Sequence, residues 1–559
     1  MNQDLIIEIL SYLPFKDKVK SSLVCKEWYQ LNKYIYTKQP INLEYNNLKT
    51  KKFEYWSKGK IFDINLYIRE IDEFEIATNF LHRICLLNLY RNKLNIFPNF
   101  IPSIINLHHL YITSNLIEYI PDSIQHLTSL KMLDISDNNI KIFPESITKL
   151  PNLEVLLLDY NKIEHVPECI NNLKKLYKLD LSNNCITTIS DTICLKNLIR
   201  LTLSCNNIEQ ISILNFPKLK YLNLNDNYIQ NLICTSPLIE LDLRVNKLTT
   251  IPNCLYTLYT LEKLYLSYNY FTELTIPEMK NLKFLDLKNA FYPVMKFDLL
   301  ALNLTCLNLS HSYGVLSSIP ESIKQLKNLK ELYLSHNKLH FLPEFITEFK
   351  HLQILNLYSN YISQLPSSIG NLTNLEYIDL NFNDLIKFPK SISKLHNLKK
   401  LYAGHNQLSS LPDELCLIEN ITDIRLMHNK LKKLPNDFGK LVNLKVLCLT
   451  SNKLKSLPDS IGNLEKLELF ECEFNLLKSL PDTICDLPNL EQFLLDGNEL
   501  NRLPENIGNI PKLDLLSIYN NRLKKLPIST HRIFPDKTRI NILSLQKKFN
   551  IVNLITNVI

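Results

Sequence analysis

The sequence predicts an α/β solenoid in which many short parallel strands stack side by side, preceded by a small three-helix module. Three observations support this prediction. A template of the form LxxLxLxxNxLxxLPxxIxxL recurs from Ile84 to Pro527, for example between Leu434 and Pro458. Within it an Asn recurs with a period of 23 residues over long stretches. Residues 1–37 do not follow the template, which marks them as a separate part.

The N-terminal part, residues 1–37, has the pattern of three short helices. The apolar residues of the first segment recur at helical spacing: Leu5, Ile6, Ile9, Leu10 and Leu13. Pro14 ends this helix, and Asp17 suits the N-cap of a second one. Val24, Trp28 and Leu31 follow at i, i+4 and i+7 and predict a third. Helices this short cannot enclose much apolar surface, so part of that surface should be buried against something else.

This module resembles an F-box. The matching positions are Asp4, Leu5, Ile9, Leu13-Pro14, Asp17 and the run Val24-Cys25-Lys26-x-Trp28. Met1 and Asn2 stand where F-boxes carry a leading Leu-Pro. In that family the module binds the Skp adaptor of a ubiquitin ligase built from Skp, cullin and F-box subunits, while the following repeats bind the substrate. The resemblance implies an adaptor-binding set of Leu5, Ile6, Ile9, Leu10, Leu13, Pro14, Val24 and Trp28. The alternative is that residues 1–37 only cap the apolar end of the repeat array.

Residues 38–80 are predicted to be a linker and N-terminal cap. The stretches INLEY and IFDINLYI within them look like strands of a cap or of degenerate repeats. At the other end, residues 528–559 are predicted to form a C-terminal cap over the last repeat, and they are too few for a catalytic domain.

Residues 81–527 are predicted to be a solenoid of about 20 repeats. The LxL alternation makes a short strand whose two leucines face inward, and only stacking with neighbouring repeats buries them. The Asn side chain can donate and accept, so it satisfies backbone groups where the strand ends. Ala290 and Ser312 stand at two consecutive positions of this Asn, and neither side chain can make all of its hydrogen bonds. The proline of each Leu-Pro step fixes φ, and it is missing from Ile189 to Leu274 except at Pro252.

These repeats resemble the typical intracellular leucine-rich-repeat class, as found in Ras-pathway scaffold proteins. The resemblance implies an arc with a concave parallel β-sheet and irregular or short helical turns on the convex side. The predicted fold is therefore a leucine-rich-repeat solenoid preceded by a small three-helix F-box-like module.

The side chains between and just after the strand leucines are predicted to form columns on the concave face. Aromatic residues and an Arg, which are enriched at protein interfaces, make one region of it a candidate partner-binding surface: Tyr333, Tyr358, Tyr377, Phe382, Tyr402, Arg425 and His428. A further column is partly acidic: Asp134, Asp180, Asp242, Asp286 and Asp379. The alternative is that these residues are ordinary fillings of the template.

We call the place of the recurring Asn in each repeat the ladder position. Four histidines directly precede it in their repeats: His311, His336, His405 and His428. Adjacent repeats should bring two such positions within about 5 Å. No carboxylate or thiolate set with ligand spacing accompanies them, so we predict interface or solvated histidines and no metal site.

Composition narrows the class of function. The charge of +7, from 63 basic and 56 acidic residues without long blocks, argues against nucleic-acid binding. No apolar run is long enough to span a membrane, and the 13 cysteines include no CxxC pair, which favours a reducing compartment, cytoplasmic or nuclear, and a protein that is not secreted. No P-loop, G-x-S-x-G, kinase glycine loop or HExxH is present, so the sequence predicts neither an enzyme nor a cofactor.

Two hypotheses remain from the sequence. The first is a substrate-recognition subunit of a Skp-cullin-F-box ubiquitin ligase, with an unknown protein as target. The second is a signalling scaffold whose repeats bind a small GTPase or a phosphatase. Richness in Asn, Ile, Lys and Tyr is typical of an AT-rich genome, such as that of a protist or a large DNA virus. In the viral case the adaptor and cullin would belong to the host cell.

Overall fold

The structure, a computed structural model, describes residues 41–44, 62–67, 81–82, 84–301, 303–312 and 316–532. The F-box-like module over residues 1–37 lies outside this part of the chain, as does the predicted C-terminal cap beyond residue 532. The chain divides into two compact units, Met1–Tyr270 and Phe271–Ile559.

Unit 1 is built on a ladder of parallel strands. Its strands are β1 (Ile41–Glu44), β2 (Phe62–Tyr67), β3 (Ile84–Asn88), β4 (His109–Tyr111), β5 (Met132–Asp134), β6 (Val155–Leu157), β7 (Lys178–Asp180), β8 (Arg200–Thr202), β9 (Gln210–Ile213), β10 (Tyr221–Asn223), β11 (Asn231–Cys234), β12 (Glu240–Asp242) and β13 (Lys263–Tyr265). The ladder joins β1 to β8 in chain order and continues through β10, β12 and β13. Strands β9 and β11 pair with each other instead.

The two stretches of residues 38–80 that were expected to be strand-like form β1 and β2. Ile41 pairs with Ile64, which is the repeat period of 23 residues, and β2 pairs in parallel with β3. The ladder therefore starts before the first recognisable template, in repeats whose sequences have diverged.

Unit 2 repeats the same arrangement. Its strands are β14 (Phe271–Ile276), β15 (Phe284–Asp286), β16 (Phe291–Leu299), β17 (Cys306–Asn308), β18 (Glu331–Tyr333), β19 (Ile354–Asn356), β20 (Tyr377–Asp379), β21 (Lys400–Tyr402), β22 (Asp423–Arg425), β23 (Val446–Cys448), β24 (Leu469–Glu471), β25 (Gln492–Leu494) and β26 (Leu515–Ser517). The parallel ladder runs from β15 to β17 and then in chain order to β26. Strand β14 pairs with β16.

The middle residue of each ladder strand points into the core, as the LxL alternation predicts. Leu332, Leu355 and Leu401 are completely buried, while their flanking residues are partly exposed. Each short strand buries one side only, so the core exists because neighbouring repeats close over it.

On the side opposite the ladder, most repeats carry a short 3-10 helix. In unit 1 these are Ile101–Ser103, Asp122–His126, Glu145–Lys149, Glu168–Asn172 and Asn253–Thr257. In unit 2 they are Glu321–Gln325, Glu344–Glu348, Ile369–Asn371, Lys390–Lys394, Asp413–Leu417, Phe438–Lys440, Asp459–Asn463, Asp482–Asp486, Ile507–Asn509 and Ile528–Arg532. The template proline precedes the turn, and its carbonyl accepts the first bond of the helix, as in Ile124 N–H to Pro121 O at 3.1 Å. The predicted helical turns are confirmed.

In two of the repeats that lack that proline, a strand replaces the 3-10 helix. Strands β9 and β11 lie in repeats of 21 and 19 residues, measured between Asn206, Asn227 and Asn246. An extended chain covers more distance per residue than a 3-10 turn does, so a short repeat can still close its loop. Irregular or short helical turns were expected on this side, so strands β9 and β11 were not predicted.

The Asn ladder holds successive repeats together, as predicted. The amide of Asn383 donates to Leu357 O at 2.9 Å and Leu380 O at 3.1 Å, and its oxygen accepts from Ile362 N–H at 3.0 Å. One buried side chain thus satisfies backbone groups of two repeats. Ser312 reproduces part of this, since its hydroxyl donates to Leu309 O at 3.1 Å.

Candidate functional site: the strand side of unit 2

Each ladder repeat places four side chains on the strand side. They belong to the first and third residues of the strand and to the two residues before the ladder position. In unit 2 these positions hold the aromatic residues, histidines and Arg that the sequence analysis selected. Because the strands pair in register, equivalent side chains of successive repeats lie next to each other.

Six rings form an unbroken row along this side, which we call the aromatic ladder: His311, His336, Tyr358, Phe382, His405 and His428. The centroid distances between consecutive rings are 4.1, 5.0, 5.1, 4.0 and 4.2 Å. The histidine pairs and the Phe382–His405 pair are stacked, whereas Tyr358 is tilted against both neighbours. Such ring pairs stabilise an ordered surface beyond the area they bury.

The backbone of the ladder explains how the rings align. The residue before each ladder position has a positive φ, for example 53° at His336 and 57° at Phe382. A left-handed conformation costs a residue with a side chain on the order of 1 kcal/mol. Inter-repeat hydrogen bonds offset this cost, as where His405 N–H donates to Met427 O at 2.8 Å. Ser359 occupies the same position with a side chain too short to stack, and Tyr358 fills that gap from the preceding position.

Three histidines of the aromatic ladder have pKa values below the ordinary value for an imidazole. Burial lowers the pKa of His311, His336 and His405, and the charge of the neighbouring imidazole lowers it further for His311 and His405. These three imidazoles therefore favour the uncharged form at neutral pH. Phe382 is its most hydrophobic member and is 43% exposed.

Beside the aromatic ladder lies a network of tyrosines and carboxylates around strands β20 to β22. Tyr377 OH donates to Asp379 at 2.9 Å, and Tyr402 OH donates to Asp423 at 2.8 Å. Arg425 pairs with Asp423 at 3.0 Å and lies over the Tyr402 ring, 5.0 Å from its centroid. The rings of Tyr377 and Tyr402 meet edge to face at 5.3 Å.

Burial dominates the electrostatics of this network. It raises the pKa of Asp379 above the ordinary value for a carboxyl group. It also raises the pKa of Tyr402 to about 12, together with the hydrogen bond to Asp423. The two carboxylates differ, because Asp423 has a cationic partner in Arg425 while Asp379 accepts from the neutral donors Tyr377 OH and Asn381 N–H.

Three further carboxylates continue the strand side beyond the network: Glu471, Glu473 and Asp496. Thr450 OH donates to Glu473 at 3.2 Å, and Ser517 OH donates to Asp496 at 2.7 Å. Burial raises the pKa of Glu473, and the charges of Asp496 and Glu471 add to the rise. Neutral donors order Glu473 and Asp496 without cancelling their charge.

The structure places the predicted partner-binding residues on one side of unit 2. Tyr358, Phe382 and His428 belong to the aromatic ladder, and Tyr377, Tyr402 and Arg425 belong to the network. Tyr333 instead donates its hydroxyl to Glu331 at 2.9 Å. The sequence analysis named His336 and His405 without seeing that they complete the row, and it overlooked Asp423. The shared position before the ladder Asn was the available signal for the histidines.

The predicted acidic column has a local role. Asp134 accepts a hydrogen bond from Ser136 N–H, two residues later in the same repeat, at 3.1 Å. Asp180 accepts from Ser182 N–H in the same way. Asn356 does this equally well for Tyr358 N–H. These side chains therefore cap the strand ends, which favours the template-filling interpretation for this column.

Other candidate sites in the described part of the chain are weaker. No group of three or more His, Cys, Asp or Glu side chains is arranged to hold a metal ion among the residues described. A cleft of about 410 Å³ is lined by Asn397, Lys399, Asn420, Thr422, Asn443, Lys445 and Lys466. Its lysines already have partners, since Lys399 pairs with Glu376 and Lys445 with Glu468. Within the described ranges, no helix is long and apolar enough to cross a membrane.

Comparison with known families agrees with this architecture. The "Leucine-rich repeat region" family matches residues 79–213 and 304–437, and "Leucine Rich Repeat" matches residues 260–282 and 443–464. The chain belongs to the leucine-rich-repeat proteins. The "F-box domain" family matches residues 1–31, so it is a leucine-rich-repeat protein with an N-terminal F-box, as the sequence analysis predicted.

Solved structures of leucine-rich-repeat proteins are similar to this chain. A leucine-rich-repeat protein of Leptospira interrogans is 30% identical, with 79% of this chain and 97% of that chain covered and a TM-score of 0.49. YopM from Yersinia enterocolitica is 26% identical, with 79% and 88% covered and a TM-score of 0.51. The Arabidopsis receptor kinase HAESA, solved with a peptide hormone and a co-receptor, is 23% identical, with 86% and 80% covered and a TM-score of 0.50. No curated protein sequence matches the chain.

Both parts of this chain are interaction modules. The leucine-rich repeats present a long side-chain surface, and the F-box is a module of the same general kind. The protein therefore has a role in protein interaction or substrate recognition.

Proposed function

We propose that the protein is the substrate-recognition subunit of a Skp-cullin-F-box ubiquitin ligase. The observation that carries the proposal is the F-box match over residues 1–31 ahead of a long ladder of recognition repeats. In this role the chain binds an adaptor and a target, while ubiquitin transfer belongs to its partners. The protein then acts in the cytoplasm or nucleus, on the adaptor and cullin of a host cell if its source is viral.

The proposal divides the chain into four parts. Residues 1–37 bind the adaptor, 38–80 connect and cap, 81–527 recognise the target and 528–559 close the array. The adaptor contact uses the apolar residues Leu5, Ile6, Ile9, Leu10, Leu13, Pro14, Val24 and Trp28. Burying them contributes roughly 25 cal/mol per Å² of apolar area. The target contact uses Tyr333, Tyr358, Tyr377, Phe382, Tyr402, Arg425 and His428.

A capture experiment tests the adaptor contact. Full-length protein is compared with the double variant Leu13→Glu, Pro14→Ser, and Skp adaptor and cullin are detected after capture from eukaryotic cell extract. We expect the wild type to recover both and the double variant to recover neither. Asn32→Ser, a polar change outside the F-box match, serves as the control and should behave as wild type. Equal adaptor recovery by the double variant would refute the assignment.

The second candidate is a signalling scaffold that binds a small GTPase or a phosphatase. The return of a strict 23-residue period from Asn337 to Asn521 favours it, because this repeat type resembles that of Ras-pathway scaffolds. If folded protein with and without residues 1–37 recovers no adaptor, and both recover a GTPase or phosphatase, the scaffold function replaces the first proposal.

A further inference from the structure

The strand side of unit 2 differs in charge from the rest of the protein. Between Glu331 and Asp496 its four columns hold six carboxylates: Glu331, Asp379, Asp423, Glu471, Glu473 and Asp496. They hold two basic side chains, Lys400 and Arg425. This surface therefore has a net charge of −4 on a chain whose total charge is +7. An acidic partner or a nucleic acid would be repelled here, and a basic partner would be attracted.

The aromatic ladder adds shape to this charge. Its rings run in single file across the strands and are held by their neighbours before any partner arrives. The stacked rings turn their faces toward each other, so their edges and the exposed Phe382 ring are what a partner meets. The shape of this row is more complementary to an extended peptide segment than to the convex surface of a globular domain. Neighbouring strands of the protein lie about 4.8 Å apart, and an extended partner segment advances about 3.3 Å per residue. A segment of about twelve residues therefore spans about eight repeats.

We infer that the strand side of unit 2 binds an extended, basic segment of the target, with apolar side chains on the aromatic ladder and Arg or Lys side chains on the neighbouring carboxylates. The inference rests on the proposed function, because it names the chemistry of the target that the repeats take. Asp379, which has no cationic partner among its hydrogen bonds to Tyr377 and Asn381, offers one cation a carboxylate beside the Tyr377 ring. Glu471, Glu473 and Asp496 offer places for further cations along the same line.

Peptide binding to the full-length protein tests the inference. The probe is a fluorescein-labelled peptide of about twelve residues that repeats Arg-Leu-Ser, measured by fluorescence anisotropy. Peptides repeating Glu-Leu-Ser and Arg-Ser-Ser are the comparisons. We expect the first peptide to bind at least roughly tenfold more tightly than either comparison, and its affinity to fall as salt rises. Equal affinity for the Glu peptide would overturn the charge argument, and equal affinity for Arg-Ser-Ser would overturn the role of the ladder.

Variants locate the binding. The triple variant Glu471→Gln, Glu473→Gln, Asp496→Asn preserves side-chain shape and should weaken Arg-Leu-Ser binding roughly fivefold or more. Glu414→Gln, Asp437→Asn, Asp459→Asn makes the same charge change on the 3-10 side and should leave binding unchanged. Phe382→Ser, at an exposed ring, should weaken binding by a similar factor. Equal effects of the two triple variants would refute the proposed location.

Adaptor capture by the same variants separates this inference from the proposed function. The strand-side variants should capture the adaptor as wild type does, and matching circular dichroism spectra and denaturant midpoints should show that they are folded. Peptide binding without adaptor capture by the wild type would leave the basic-segment surface standing and remove the ligase role. Adaptor capture by the wild type without selective binding of the basic peptide would support the ligase role and refute the basic-segment surface.

Discussion

At the residue scale, the ladder Asn shows why one side-chain type recurs through the chain. It lies where the strand ends inside the stack, next to backbone groups that are buried away from solvent. Its amide can donate and its oxygen can accept, so it satisfies backbone groups of its own repeat and of neighbouring repeats at once. A side chain that lacked either function would leave buried groups unpaired.

Replacing Asn383 by Ala tests this role. Ile362 N–H and Leu357 O would lose their side-chain partners inside the core, and we expect a loss of roughly 2–4 kcal/mol in the unfolding free energy. Asn374→Ala is the matched control, because Asn374 is exposed and donates to Lys350 O at the surface. Chemical denaturation followed by circular dichroism measures both. Equal losses for the two variants would contradict the special role of the ladder position.

A single carboxyl group in unit 1 is expected to make stability depend on pH. Burial raises the pKa of Asp159 to about 6, and the charges of Asp180 and Asp134 add to the rise. The folded state then binds more protons than the unfolded state between about pH 4 and 6, so stability falls as the pH rises through this window.

Asp159→Asn should therefore be more stable than wild type at pH 7.5, by about 1 kcal/mol once solvent screening is allowed for. The difference should shrink as the pH falls toward 4 and disappear at still lower pH, where the wild-type carboxyl is protonated in both states. Thermal unfolding across this pH range measures it. Asp122→Asn makes the same charge change at the start of a 3-10 helix and serves as control. A pH-independent difference would contradict the assignment to Asp159.

At the scale of elements, the 3-10 helices show how closely successive repeats pack. Gly439 lies in the helix Phe438–Lys440, and a Cβ at this position would meet the backbone carbonyl of Ser460 in the next repeat. Gly439 N–H also donates to Ser460 Oγ at 3.1 Å. The φ of Gly439 is not in the left-handed region, so its backbone conformation does not require a glycine. The close approach of the next repeat does.

Gly439→Ala should thus destabilise the protein by roughly 1–3 kcal/mol through overpacking between two helices. Lys440→Ala, in the same helix but at an exposed ion pair with Asp437, should leave stability nearly unchanged. Denaturant midpoints of the two variants provide the comparison. An alanine at position 439 that leaves the midpoint unchanged would show that the neighbouring repeat can yield.

At the scale of the whole molecule, a repeat protein is held together by contacts between neighbours, so stability can differ along the chain. Ala290 and Ser312 interrupt the Asn ladder in consecutive repeats of unit 2. Phe271 N–H, for example, donates to the backbone oxygen of Ala290 at 3.2 Å, where other repeats use the Asn side chain. Fewer side-chain bonds tie these repeats together.

Native-state hydrogen exchange should reveal this difference. Backbone amides between Leu287 and Ser312 should exchange faster than those between Leu380 and Asn429, where Asn383, Asn406 and Asn429 complete the ladder. Mass spectrometry of peptic peptides resolves the two stretches. Equal protection would mean that strand pairing alone holds the repeats in place.

Much of the fold could be predicted from the sequence because its causes are local and periodic. The leucine alternation, the ladder Asn and the proline each act within one repeat or between adjacent repeats, so their spacing predicted the buried strand centres. The resemblance to leucine-rich repeats added the parallel sheet and the irregular or short helical turns. The positions of the candidate surface were predictable for the same reason. Strands β9 and β11 were not, because a missing proline shows what a loop lacks and not what replaces it.

By itself the sequence determined the class of protein, the repeat boundaries and the residues that reach the strand side. Only the tertiary structure decided which of those residues contact each other. The stacking of His405 between Phe382 and His428 and the bonding of Tyr402 to Asp423 join residues at least 21 positions apart. Such contacts depend on rotamers and on the left-handed backbone before each ladder position, which no spacing in the sequence expresses.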